Sequence, residues 1–376
     1  DRKLSAIATA SVSSCHEPIS EMEALERLRS GFWVMLRQGT FRRDLDATLR
    51  PLVVRGVSTQ RLILVTDGVA PDDTEDFGHI DFVVRRAIGL GLSPVQAIQA
   101  VTLNPATYSG LEQEIGGIAP GRFADLTLLE DLEKVRVHST LIGGRVVARG
   151  GESLVGDCPI SLPGNVIKSI RLKPLVSPDA LKIPCPSSLA RIRVMELLNV
   201  TITREKILEL SPREGVLVAD QNQDLVKVAV FDRHGDSGRI ALGFLKGFGA
   251  RVGAVGTTVN LDENSLLIVG SDDGDMALCA NLLIEMGGGM AVVDQGVVLE
   301  KTGFPVGGIF SLEPWRVVGK GLRRIHRCLR ERGSPHPKPI NPICFLTFVT
   351  LPALRITDRG LVRVKDRKLV PLFVDG

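Results

Sequence analysis

Three side chains within the first 80 residues have the types and spacing to do chemistry together. His16-Glu17 follows a small-residue, β-prone stretch at 7–15, and Asp67 closes the apolar run 61–65 in the sequence Thr66-Asp67-Gly68. In a parallel barrel, functional residues gather at the C-terminal ends of the strands, because the βα loops open there. His16 and Asp67 lie 51 positions apart, and one βα unit takes about 30 residues. They therefore stand about two units apart, with the apolar run 33–36 as the strand between them. An imidazole and a carboxylate at the mouths of strands n and n+2 are suited to share a divalent metal. Plainer readings stand beside this one. A His-Glu pair ahead of a helix also serves as an ordinary loop pair, and Asp-Gly after a strand also makes a turn. His79, in Gly78-His79-Ile80-Asp81, stands where a helix starts, and a polar residue is expected there in any case.

The elements that must position these residues alternate helix and strand. Residues 21–30 form a charged helical pattern, with Ser20 as N-cap and Glu23 completing a capping box. The runs 33–36 and 61–65 are short and apolar, each closed by turn chemistry. Residues 80–89 and 94–101 carry apolar side chains at helical spacing. Apolar strands joined by helices predict parallel βα units. From Gly116 the pattern changes to strands at 124–129 and 139–147 joined by a charged turn, which reads as antiparallel sheet. Residues 151–195, rich in Pro, Ser and Lys, read as a linker with short strands. A second αβ region follows from about Ile207, with strands near 226–231, 265–269 and 290–293, a helix over 275–286 and a basic amphipathic helix over 315–332.

Other candidates point to structure. The glycine-rich segment 247–253 lacks the GxGxxG spacing and any following Lys-Ser/Thr, so it reads as turn chemistry. Asp272, Asp273 and Asp275 sit at a helix start, where they cap it and complement its dipole. Gly287-Gly288-Gly289 ends that helix. The arginines at 323–324 and 330–332 read as a solvated helix face.

Composition bounds the function. The chain has 376 residues, 44% hydrophobic and 24% charged, ordinary values for a globular protein with a real core. Its length suits two domains, or one large domain with an appendage. Lys+Arg 46 against Asp+Glu 43 leaves +3, which with 4% aromatics gives nucleic-acid binding little support. No apolar run approaches a membrane span of about 18 residues, no h-region opens the chain, and a cytoplasmic location is expected. The six cysteines contain no CxxC pair and read as small buried hydrophobes.

At these residues the chain resembles the bacterial adenine deaminases of the metal-dependent amidohydrolase superfamily. The resemblance rests on Ser13-Ser14-Cys15-His16-Glu17, Val34-Met35-Leu36-Arg37-Gln38-Gly39, Thr66-Asp67-Gly68 and Gly78-His79-Ile80-Asp81. It continues through Thr102-Leu103-Asn104-Pro105-Ala106 and 118–126, resumes at 270–289, and is found again near Leu346-Thr347-Phe348. It implies an α/β fold: the C-terminal portion of an amidohydrolase (β/α)8 barrel over 1–115, β-sandwich return strands over 116–150, and a C-terminal α+β domain over 151–376. It implies a hydrolase acting on the C–N bonds of cyclic amidines, converting adenine and water to hypoxanthine and ammonia in purine salvage. His16 and Asp67 would be metal ligands, Asp67 also the catalytic proton shuttle, and His79 a substrate-binding residue. The expected cofactor is a divalent metal, manganese with iron or zinc as alternatives. The expected partner is the purine base adenine, with no nucleic acid and no membrane, and with homo-oligomerisation open.

The sequence departs from the family pattern in places. Cys15 replaces an Asp, Gly68 replaces the second Asp of Thr-Asp-Asp, and Leu261-Asp262-Glu263-Asn264 stands where many relatives carry His-Asp-Ser-His. The family's His-x-His strand, its carboxylate ligand and a further His would precede Asp1, so weak metal binding and little activity are expected of this chain alone. Another amidohydrolase reaction, or a non-catalytic remnant or partner subunit, are the alternatives.

Overall fold

A computed structural model describes residues 2–156, 160–167, 169–172, 175–235 and 237–374. The chain divides into two compact units, Asp1–Ile160 and Ser161–Gly376.

The first unit opens with α1 (Arg2–Thr9) and β1 (Ser14–Cys15), continues through α2 (Glu21–Arg29), β2 (Trp33–Arg37) and α3 (Leu45–Val54), and reaches β3 (Leu62–Val65). Short helices follow: α4 (Pro71–Phe77), α5 (Ile80–Gly89), α6 (Pro94–Gln99) and α7 (Leu103–Ser109). The stretch 7–15, expected to be β-prone, is helical to Thr9 and extended only at Ser14–Cys15. Its run of small residues carries too little β-branched bulk to hold a longer strand. Ser20 caps α2 as expected, accepting from the Glu23 amide, while Glu23 Oε2 accepts from the Ile19 amide at 2.8 Å.

Strands β1, β2 and β3 pair in parallel in that order, Cys15 opposite Val34 and Arg37 opposite Val65. Their C-terminal ends therefore lie along one edge. Val34, Leu36, Leu62 and Leu64 pack against Leu45 and Leu49 of α3 and Val83 and Ala87 of α5, all buried. At about 1.5–3 kcal/mol for each fully buried aliphatic side chain, this packing is what fixes the strand ends in space.

An antiparallel sheet follows in the same unit: β4 (Leu126–Asp131), β5 (Arg136–Ile142), β6 (Arg145–Arg149) and β7 (Glu152–Ser153). The run 139–147, read as one strand, is two. Gly143 and Gly144 take φ of 56° and 77° and turn the chain back on itself, the paired left-handed geometry of a two-residue hairpin.

In the second unit the chain runs through β8 (Ile183–Pro184), β9 (Ala190–Leu197), β10 (Thr203–Leu210), β11 (Val216–Leu217), β12 (Leu225–Phe231) and β13 (Ile240–Lys246). It continues through β14 (Ala254–Thr257), β15 (Leu266–Gly270), α8 (Asp273–Glu285), β16 (Gly289–Asp294), β17 (Val297–Gly303) and α9 (Trp315–Glu331). Among the described residues these build a sheet ordered β10-β9-β13-β12-β15-β14-β16-β17, in which only β9 and β13 pair in parallel. Every residue of β12 and of β15 is buried. The first long strand of the second unit thus starts at Ala190 and not near Ile207. The alternation that marks β9, with Arg191 and Arg193 between buried Ala190, Ile192 and Val194, begins inside the stretch 151–195 whose Pro, Ser and Lys content reads as a linker. Parts of that linker, 157–159, 168 and 173–174, lie outside the described residues.

Asp272 caps α8 by accepting from the Asp275 amide at 2.9 Å, as expected. Cys185, Cys279, Cys328 and Cys344 are buried and Cys15 is half-buried. Burial pushes the Cys279 thiol up and that of Cys344 up to about 12, so both are inert small hydrophobes. Cys158 lies outside the described residues. No helix among the described residues is long and apolar enough to cross a membrane.

Candidate active site

The parallel register of β1, β2 and β3 delivers three consecutive strand ends to one place. His16 and Glu17 follow β1, Arg37 and Gln38 end β2, and Thr66-Asp67 follow β3. His16 Nε2 lies 3.0 Å from Glu17 Oε1. The other Glu17 oxygen accepts from Arg37 at 3.1 Å, and the same guanidinium nitrogen reaches Asp67 Oδ2 at 3.4 Å. Arg37 also donates to Asp44 Oδ2 at 2.8 Å, where the chain enters α3. His16 and Asp67 are therefore joined through two intervening side chains. The guanidinium is 3% exposed while His16 and Glu17 are more than half exposed and Asp67 is 40% exposed. A buried cation so placed draws three carboxylates inward by charge, and leaves His16 and Asp67 open to solvent and to a ligand.

The loops behind the cluster are sewn together by backbone. Gly39 has no alternative residue: a Cβ there would sit 2.1 Å from the Thr66 carbonyl oxygen and 2.7 Å from that of Gly68. Thr40 donates to Asp73 Oδ2 at 2.6 Å and accepts from the Ala70 amide at 2.8 Å. Asp67 itself takes φ of 58°, with its Oδ1 accepting from the Gly68 amide at 2.8 Å. A left-handed backbone at a non-glycine residue is a strain held in place by its surroundings, and such strain clusters at functional sites.

His79 stands at the N-terminus of α5, but its side chain makes no capping hydrogen bond. The capping is done by Asp81, whose Oδ1 accepts from the His79 amide at 2.8 Å. The exposed His79 side chain lines a cleft with Gln38, Val69, Phe77 and Phe82. The cleft adjoins the 66–68 turn through Gly39.

Sequence reasoning passed over Arg37 and gave Glu17 no role of its own. The signal for Arg37 was available: a charge at the end of an otherwise apolar strand, WVMLR, is expensive to bury unless it is paired.

The sequence matches known proteins at both ends of the chain. Residues 11–147 match the amidohydrolase family, and residues 200–368 match the adenine deaminase C-terminal domain. Over nearly its whole length the chain is similar to adenine deaminases. It is 41% identical over 373 residues to an adenine deaminase of Moorella thermoacetica, covering 98% of this chain and 63% of that one. It is 36% identical to an adenine deaminase of Cenarchaeum symbiosum and 37% identical to adenine deaminase 1 of Carboxydothermus hydrogenoformans, covering 61% of each. The chain thus spans somewhat less than two thirds of the relatives it matches, and almost all of it is matched.

The amidohydrolase family implies a divalent metal. The donor chemistry at the strand ends suits one: an exposed imidazole and an exposed carboxylate are oxygen and nitrogen ligands of the right hardness. The donor number does not complete a shell. Among the described residues no group of three or more His, Cys, Asp and Glu side chains is placed to hold a metal ion.

Proposed function

We propose that the protein deaminates adenine hydrolytically, giving hypoxanthine and ammonia, and that the cluster at the ends of β1, β2 and β3 is this chain's share of the active site. The observation that carries the reading is the run His16–Glu17–Arg37–Asp67 at one sheet edge, in a chain 41% identical to an adenine deaminase. In this reading residues 1–115 are the last strands and helices of a (β/α)8 barrel, 116–150 the β-sandwich return segment, and 151–376 the C-terminal domain.

His16 and Asp67 contribute an imidazole and a carboxylate to a divalent metal, manganese in this reading. A metal bound there supplies acidity to the attacking water. The remaining chemistry is this chain's own. Water adds at C6 of adenine and the C6–N bond breaks. Asp67 takes a proton from the water and hands it to the departing amino group, so that ammonia leaves and the ring keeps the oxygen. Arg37 keeps Asp67 and Glu17 aimed at the opening by holding one oxygen of each. Glu17 holds His16 by its ring nitrogen.

The test is ammonia release from adenine with manganese, by the 376-residue chain alone and fused to the part of the M. thermoacetica relative that it does not match. We expect little ammonia from the chain alone, because its described ligands are two, and turnover from the fusion. A fusion that binds manganese yet leaves adenine intact would overturn the reading. Ammonia from a different base would move it to another deaminase of the same family, and a fusion without metal or turnover would leave a non-catalytic remnant.

A further inference from the structure

We propose that α9 and the segment leading into it form a docking surface for a bilayer of anionic lipids, made of a row of cations beside exposed apolar anchors. The inference lies in the second unit, goes beyond the deaminase reading and does not depend on it.

The first observation is the one-sidedness of α9. Leu322, Ile325, Cys328 and Leu329 are buried. Gly321 lets the helix lie close on β17, since a Cβ there would sit 1.9 Å from the Thr302 hydroxyl oxygen. The other face carries Arg316, Lys320, Arg324, Arg327 and Arg330, all exposed. Steps of three and four residues put these cations on one stripe, about 21 Å long at 1.5 Å per residue. Like charges at such spacing repel one another unless something answers them. Within the protein little does. Glu300 accepts from Arg324 at 3.0 Å, and Arg330 donates to the Pro337 carbonyl at 2.9 Å. Glu313 and Glu331 stand at the two ends of the stripe. Among the described residues Arg316, Lys320 and Arg327 have no carboxylate partner.

The second observation is what stands beside the cations. Phe310, Leu312, Trp315 and Val317 are 65%, 63%, 43% and 48% exposed. The backbone that carries them is held in place: the Phe310 amide donates to the Val306 carbonyl at 3.0 Å, and the Glu313 amide to the Ser311 hydroxyl at 3.1 Å. Their exposure therefore belongs to a folded segment. Trp, Phe and Leu beside a Lys- and Arg-rich helix face are the pattern of helices that lie in a lipid interface. Near an anionic bilayer each Lys or Arg strengthens binding about fivefold.

The phosphates of a nucleic acid would attract the same cations, but two features favour the bilayer. Leu312 and Val317 offer no flat face on which a base could stack. One face of the Trp315 ring is already covered by Arg316, whose guanidinium carbon lies 4.8 Å from the ring centroid. The expectation of no membrane rests on span length. The described residues hold no helix that could cross a bilayer, and a surface-bound helix needs none.

The test is co-sedimentation with vesicles of phosphatidylcholine alone and of phosphatidylcholine mixed equally with phosphatidylglycerol. It uses the 376-residue chain and the fusion described above. We expect both proteins to bind the anionic vesicles at least about 10-fold more tightly than the neutral ones. The double variant Lys320→Gln, Arg327→Gln should bind them about 25-fold more weakly than wild type, and added salt should act in the same direction. Phe310→Ser with Leu312→Ser should cost about 10-fold. Thermal melts guard against a folding defect, and the charge variant carries the test if the apolar one fails to fold.

No vesicle binding, equal binding to both vesicles, or an unchanged affinity in the charge variant would overturn the proposal. Binding by the chain that the fusion loses would also overturn it, because the remainder of the protein would then cover this face. Tighter binding to single-stranded RNA than to the anionic vesicles would assign the surface to a nucleic acid instead. Ammonia release from adenine bears on none of these outcomes, so the two readings fail separately.

Discussion

Both units bury arginines, and they use them in opposite ways. In the first unit Arg37 faces carboxylates: Glu17, Asp44 and Asp67 all accept from one guanidinium. In the second unit Arg355, fully buried, donates to the backbone carbonyls of Leu351 and Phe345 at 2.9 Å and of Thr201 and Pro352 at 2.6 Å. Arg233, 1% exposed, donates to the carbonyls of Asn264 and Gly307. Burial pushes both of these guanidinium groups down to about 10, so each stays charged at neutral pH. A cation spent on carbonyls ties loops together and leaves no anion for chemistry. A cation placed among carboxylates orients charges that still face solvent. The contrast assigns scaffold work to the second unit's arginines and site work to Arg37.

The largest expected effect belongs to the exposed end of that contrast. Asp67→Asn removes the proton acceptor and keeps the shape. Ammonia release by the fused enzyme should fall about 10³-fold, as for loss of a general base. Stability should barely change, because Asp67 is solvated and held by a long 3.4 Å contact. An Asn variant with activity within tenfold of wild type would remove Asp67 from the mechanism. Arg355→Met is the mirror experiment. It removes a donor from four carbonyl oxygens in the second unit, of which those of Phe345 and Pro352 keep the Phe348 and Thr203 amides, and we expect a loss of about 3 kcal/mol in urea unfolding. Adenine affinity of the protein that remains folded should be unchanged. A smaller loss than that of an exposed arginine such as Arg204 would show that the carbonyl network is dispensable.

The parts of the molecule legible in the sequence were those in which local chemistry and tertiary packing agree. The helix α2 announces itself by Ser20 and Glu23, and α8 by Asp272 and the closing glycines, because caps act over three or four residues. The strand ends that carry His16 and Asp67 followed from the length of a βα unit and from apolar runs that only a doubly covered sheet needs. The misses have one cause each. At 7–15 small residues were read as strand, although Ala and Ser take whatever conformation the neighbours impose. At 139–147 a two-glycine hairpin was read through, because apolar residues flank it on both sides. The Arg37 cluster was legible only in part: a charge ending the apolar WVMLR strand had to be paired, but which carboxylates answer it depends on the register of three strand ends.

Arg37→Lys tests whether the cluster needs a fork or only a charge. Lysine keeps the cation but cannot present two separate N–H groups to Glu17 and Asp44 in fixed geometry. We expect a loss of about 2 kcal/mol in stability and an activity drop of about 10-fold in the fused enzyme, with Asp67 less firmly held. A Lys variant that matches wild type in both measurements would mean that any positive charge serves, and the distinction between the two arginine uses would shrink to one of location.

The smallest effect concerns a carboxyl in the second unit. Glu263 sits between Asp262 and Asn264, both at left-handed φ (70° and 49°), and accepts from the Ser265 hydroxyl at 3.0 Å. Burial, with Asp358 nearby, raises its carboxyl from 4.5 to about 7. The folded state therefore holds a proton that the unfolded chain has released across the window from about 4.5 to about 7, and stability falls as pH rises through that window. After solvent screening the loss should be about 1 kcal/mol between pH 5 and pH 8. Glu263→Gln, a neutral stand-in for the protonated carboxyl, should match wild type at pH 5 and exceed it at pH 8 by that amount. Melting curves at the two pH values decide it. If the Gln variant tracks wild type at both, Glu263 ionises in the folded protein as freely as in water. The second unit then imposes no burial cost on that carboxyl, in contrast to the cost that burial imposes on the Arg233 and Arg355 guanidinium groups.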